Sequence, residues 1–265
     1  MSKDPTVIYD GSIEGFLSAL RFLTLKRFSP HKIVASHRHI PEIFEQTIEI
    51  TNDNEKDIIS FLLYLKDRIS PDIIKKILYA YLSEIEDFET TTINYILRAL
   101  KLGNRYIYNI ADEYVATLNE ICRKVNRECH RFYGLMRFTK TSEGFYYAPF
   151  EPDHNIISLI VPHFVDRLKD QTWIIHDTKR DIAVLYQHIS REVSQVTISD
   201  DIKIENDEQA LSELWQCYFR SLSIENRTNS RLQTRCMPKR YWKYLTEKTT
   251  TARQPLPYLR HRKPV

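Results

Sequence analysis

Residues 172–186 read TWIIHDTKRDIAVLY. Two apolar runs, Thr172–Asp177 and Asp181–Tyr186, flank the polar trio Thr178, Lys179 and Arg180. β-branched and aromatic residues on both sides of a short polar break predict a hairpin. Upstream, Arg137–Phe150 (RFTKTSEGFYYAPF) repeats the arrangement around Ser142, Glu143 and Gly144, and Val193–Ile198 offers a further strand. Strands joined by short turns pair antiparallel. The expected class is α+β: an antiparallel sheet drawn mainly from residues 136–198, which the N-terminal strand Thr6–Tyr9 can join, flanked by helices.

Helical patterns lie on both sides of this sheet. Asp10, Gly11 and Ser12 make a turn, and Ser12 can cap a helix over Ile13–Lys26. Helices over Asn54–Arg68, from Pro71 onward and over Thr92–Leu102 follow, the last closed by Gly103. Apolar residues at Ile110, Tyr114, Leu118, Ile121, Val125 and Phe132 predict a longer helix over Ile107–Tyr133. Residues 53–133 can therefore form a helical lobe. Ile156–Leu168 is helical by pattern, with Pro162 inside it to kink it or mark its start. Glu208–Leu222 carries Leu211, Leu214, Trp215, Tyr218 and Phe219 as one apolar stripe. Ser230–Glu247 is the last helical signal, broken at Pro238. The organisation read from this is one α+β domain over residues 1–248, with an extended or disordered basic tail over 249–265.

The chain has 265 residues, of which 42% are hydrophobic and 28% charged, a globular balance. Glycine is scarce, 5 in all against about 7% in average proteins. No pair of glycines has the spacing of a P-loop or a dinucleotide fingerprint, which excludes those phosphate-binding classes. The four cysteines have no zinc-ligand spacing, and no metal or cofactor is expected. The N-terminus has no apolar signal region and no run is long enough for a bilayer, so a reduced, cytoplasmic protein without a membrane partner is expected.

Charge is unevenly placed. Arg227–Val265 holds eleven Lys or Arg against one acid, Glu247, while the first 226 residues are net acidic. Such a basic end suits a polyanion. Within it, Arg227, Arg231 and Arg235 recur every four residues, and Lys239, Arg240 and Lys243 surround Tyr241 and Trp242. Guanidinium groups grip phosphates and rings stack on exposed bases, while Asn229 and Gln233 add amides that can bond base edges. Arg123, Arg127 and Arg131 form a second stripe with the same step. A solvated charged face with Tyr241 and Trp242 buried is the competing reading. For chemistry, His163, Asp10 and Asp177 are acid–base candidates, with Asp166 and His176 near them in sequence, and the alternate residues His37 and His39 are a pair that could ligate a metal. A capping turn at Asp10 and a structural histidine at 163 are the plainer readings. Residue types and spacing alone name no reaction.

Four segments carry a family resemblance: IYDGSIEGFLSAL at 8–20, PHFVDRL at 162–168, TWIIHDTKRDIAVLY at 172–186, and LWQCYFRSLSIENRTNSRLQTRCMPKRYWKYLTEK at 214–248. Together they resemble a bacterial DNA-metabolism protein family, the domain-of-unknown-function family 4130, over nearly the whole chain. MPKRYWKYLTE is the most specific part. The resemblance implies a setting rather than a reaction. Such proteins are typically encoded beside a radical-SAM protein of DNA modification or repair, and some are fused to a uracil-DNA glycosylase-like domain. It assigns no catalytic residues. The chain itself lacks a CxxxCxxC cluster, so it is not that radical-SAM partner. The expected function is a DNA-binding accessory protein. The alternatives are an enzyme acting on a DNA lesion or modified base, and a protein-interaction module that docks the radical-SAM partner.

Overall fold

The computed structural model describes residues 5–198, 202, 205, 208–221 and 229–248, with the side chains at 208, 209, 219 and 220 excepted. The expected basic tail at 249–265 lies outside the described residues. The chain divides into two compact units, Met1–Asn126 and Arg127–Val265.

The first unit starts with β1 (Thr6–Tyr9), whose residues are largely buried because both faces of the strand are covered. Ser12 is the N-cap of α1 (Ile13–Lys26), its hydroxyl accepting from the Gly15 N–H. That helix is a crossover, so β2 (Lys32–Ala35) returns parallel to β1. Residues 36–46 carry the chain to the other side of β1, where β3 (Thr47–Glu49) also pairs parallel. These strands form a separate three-stranded sheet in the order β2-β1-β3, so β1 does not join the downstream sheet.

Four helices complete this unit: α2 (Glu55–Arg68) behind its Asn54 cap, α3 (Ile73–Ser83), α4 (Phe88–Leu102) and α5 (Glu113–Leu135), which runs through the unit boundary. Leu65, Ile77, Ile93 and Leu118 share one buried cluster with Val7 and Leu20, so these helices and the parallel sheet enclose a common core. The last helix starts at Glu113 rather than near Ile107. Residues 104–108 wind as a 3-10 turn, and the Asp112 carboxylate caps the new start by accepting from the Tyr114 and Val115 N–H groups at 3.0 and 3.4 Å. Ile110 is consequently outside the helix and exposed.

The second unit holds a five-stranded sheet in sequence order: β4 (Thr139–Lys140), β5 (Tyr146–Phe150), β6 (Trp173–Asp177), β7 (Ile182–Gln187) and β8 (Glu192–Val196). Both expected hairpins form, with Gly144 taking φ +87° in the first turn. The sheet is nevertheless mixed, because β5 and β6 pair parallel, Pro149 opposite His176. The cause is α6 (Ile157–Arg167), which returns the chain to the starting end of β5 before β6 begins. Pro162 sits inside this helix and withholds the N–H that would reach the Ser158 carbonyl, without ending it. Beneath the sheet, Trp173 stacks on Tyr186 with centroids 5.3 Å apart.

Phe16 is the most connected ring of the first unit, lying 5.1 Å from Phe88 and 5.9 Å from both Tyr9 and Tyr81, centroid to centroid. Phe16→Ala should lower the unfolding free energy by about 3–5 kcal/mol, read from the midpoint of urea denaturation followed by circular dichroism.

Candidate nucleic-acid interface

α7 (Glu208–Ser221) and the short α8 (Ser230–Cys236) precede a 3-10 segment at Lys239–Tyr244, and this C-terminal stretch carries most of the expected binding residues. Arg227 lies outside the described residues. Asn229 is the N-cap of α8, its side-chain oxygen accepting from the Leu232 N–H at 2.9 Å, which gives the amide a structural role. Arg231, Arg235 and Lys239 are exposed, and among the described residues none of them forms an ion pair. Gln233 is half-buried.

The second half of the motif folds inward. Tyr241 is 4% exposed, and its hydroxyl donates to Glu128 Oε1 at 2.5 Å. It therefore presents no face to a base, contrary to its expected role as a stacking ring. Its neighbours are largely neutralised: Arg240 pairs with Asp153 at 2.7 Å and Lys243 with Glu151 at 2.6 Å. Trp242 is half-buried, donates its indole N–H to the Met237 carbonyl at 2.9 Å, and lies under the Lys239 and Lys248 ammonium groups, 6.0 and 4.6 Å from its centroid.

Glu128 explains this inward turn. It sits buried on α5, and it is the one acid against six Lys or Arg between Ile121 and Lys140. Its two oxygens accept from the Asp153 N–H at 2.8 Å, the His154 N–H at 2.9 Å and the Tyr241 hydroxyl. Loop 151–154 and the Lys239–Tyr244 segment are thus fastened to one carboxylate. Lys179 and Arg180 add hydrogen bonds to the Asp153 carbonyl at 3.0 and 2.9 Å.

The two arginine stripes are treated unequally. Arg123 belongs to the first unit and is bound to Glu120 through two 2.6 Å hydrogen bonds. Arg127 and Arg131 belong to the second unit, and Arg127 is exposed. The Arg131 guanidinium donates to the Arg235 carbonyl at 3.2 Å, which brings the end of α8 beside α5. Arg127, Arg131, Arg231, Arg235 and Lys239 are the cations this arrangement gathers. Glu247 does not oppose them as a free charge. Burial acts to raise its pKa, but two hydrogen bonds from Arg137, at 3.2 and 2.6 Å, bring it below the ordinary carboxylate value.

The acid–base candidates are divided between the units, Asp10 in the first and His163 and Asp177 in the second. Asp10 ends β1 in the first unit, its carboxylate accepting from the Ser12 N–H and hydroxyl and from Asn52 at 2.8 Å. Those bonds hold it below the usual carboxylate range and fit a capping turn. Asp177 is fully buried; burial pushes its pKa up, and its oxygens are taken by Arg180 at 2.8 Å and by the Lys179 and Arg180 N–H groups. His163 stacks on Tyr133 at 4.2 Å, and its Nε2 is buried with no hydrogen-bond partner among the described residues. His176, by contrast, is fully engaged, with Tyr147 Oη 2.7 Å from Nδ1 and Asp181 Oδ1 3.1 Å from Nε2. Among the described residues no group of three or more His, Cys, Asp or Glu could hold a metal ion, and no helix is long and apolar enough to cross a membrane.

Two outcomes follow for stability. Tyr241→Phe leaves Glu128 short of one donor and should destabilise the second unit by about 1–3 kcal/mol in urea unfolding. Burial pushes the His176 pKa below the ordinary imidazole value of about 6.5, against the raising effect of Asp181. The unfolded chain then takes up the proton first as pH falls. Its contribution to stability is complete above about pH 6.5 and declines as pH drops toward the folded value. His176→Gln should flatten that part of the stability–pH curve, seen in urea midpoints between pH 7.5 and 5.

No match is found among the curated proteins or among the solved structures. The family described as a domain of unknown function (DUF4130) matches residues 86–247. The matched span takes in the whole β4–β8 sheet, loop 151–154 and α8, and it exceeds half of the 265 residues. The chain therefore belongs to the DUF4130 family.

Proposed function

We propose that this chain is a DNA-binding accessory protein of bacterial DNA repair or base modification. In this reading it works in the cytoplasm beside a radical-SAM protein, and in some settings with a uracil-DNA glycosylase-like protein, as the family resemblance implies. The observation that carries DNA contact is the hydrogen bond from Arg131 to the Arg235 carbonyl. It supports a common basic surface contributed by α5 and α8, with Arg127, Arg231 and Lys239 exposed around it. Guanidinium and ammonium groups free of carboxylates are the ones that can exchange counterions for phosphates. Arg240 and Lys243, already paired, serve instead to hold their segment in place.

Each phosphate neutralised adds about 0.9 to the slope of log affinity against log salt for duplex DNA, and about 0.7 for single strands. The folded triple variant Arg231→Glu, Arg235→Glu, Lys239→Glu should therefore flatten the slope by about two to three and bind far more weakly at low salt. Fluorescence anisotropy over a salt series measures both. Binding and slope that match the parent protein in this variant would overturn the assignment.

A further inference from the structure

An apolar helix stripe ordinarily covers a core. The α7 stripe does not: Leu211, Leu214, Trp215 and Tyr218 are 56, 66, 41 and 52% exposed. Two of the four are aromatic, and their rings are neighbours, with centroids 5.7 Å apart and planes inclined by 36°. The helix is tied to the segment that follows the basic stretch. Gln216 donates to the Thr246 carbonyl at 2.9 Å, and the Trp215 indole N–H donates to Glu247 at 3.3 Å. Lys248, next in sequence to Glu247, lies over Trp242; Trp242 bonds the Met237 carbonyl; and the carbonyl of Arg235, two positions before Met237, receives Arg131. An exposed aromatic pair is thereby fastened to the same C-terminal segment that carries the cations.

Cations alone suit any polyanion. Exposed rings beside them suit one whose bases have open faces, because a ring stacks on any base with little regard to sequence. In a duplex those faces are already covered by neighbouring base pairs. Resting on the DNA reading above, we infer that Trp215 and Tyr218 are a stacking platform for unpaired bases, and that the ligand of this surface is single-stranded DNA. Its phosphates lie along Arg231, Arg235 and Lys239 while its bases meet the two rings. The aromatic residues that sequence alone nominated, Tyr241 and Trp242, are the support of the surface rather than its contact.

The test compares one labelled mixed-sequence oligonucleotide, single-stranded and annealed to its complement, at equal salt. The single strand should bind the tighter of the two and quench tryptophan fluorescence. Trp215→Leu with Tyr218→Leu keeps apolar bulk but removes both π-faces. It should weaken single-strand binding on the order of ten- to hundredfold, while duplex binding and both salt slopes stay at the parent values. Trp215→Phe, which keeps a ring and loses only the bond to Glu247, should retain most of the affinity. Circular dichroism checks that each variant is folded. A single strand bound no better than the duplex, or bound equally by the double-leucine variant, overturns this inference and leaves the DNA assignment standing. Binding to neither form overturns both.

Discussion

One buried carboxylate organises the second unit. An isolated charge in that position would be unfavourable by several kcal/mol, so Glu128 has to be met by donors from wherever the chain can supply them. It is met by two backbone N–H groups of loop 151–154 and by a phenol more than a hundred positions along the chain. The same loop then offers Glu151 and Asp153 to Lys243 and Arg240. A basic, aromatic segment that looks made for an anionic ligand is thus partly consumed in satisfying the protein's own interior. What remains outward is the α8 side, where carboxylates are missing from the described neighbours.

Local signals carried well where the relevant contacts are local. Ser12, Asn54 and Gly103 mark helix ends because caps depend on a few adjacent residues, and the two hairpins were legible from their turns. Strand direction was not. Residues 137–150 and 172–186 each read as a hairpin, but nothing in either stretch says how one hairpin meets the next. That was decided by α6, whose role as a crossover was available in the order hairpin, helix, hairpin. The same logic separates β1–β3 from the downstream sheet, since α1 makes that sheet parallel and complete in its own unit.

The candidate site was legible in part for a related reason. Four-residue spacing places arginines on one helix face, and Arg231 and Arg235 do sit so. Spacing does not tell which cations find acids from distant segments: Glu151 and Asp153 lie far away in sequence from Lys243 and Arg240. Nor does a hydrophobic stripe state what covers it. Leu211, Leu214, Trp215 and Tyr218 have the periodicity of core residues, and the sequence could not distinguish them from Ile58, Phe61 and Leu65 on α2, which are buried. The signal that was available was proximity in sequence, since Tyr218 precedes Arg227, the first cation of the basic stretch, by nine positions.

The Glu128–Tyr241 bond also spans 113 positions. A ribosome needs on the order of ten seconds to add that many residues. During synthesis the sheet strands β4 to β8 emerge well before the phenol that completes their carboxylate anchor. Until then Glu128 lacks its phenol donor. Closure of this half is therefore a late, long-range event, coupled to the arrival of the residues that also present the basic surface. The interior of this half and its basic surface are completed by one and the same C-terminal segment.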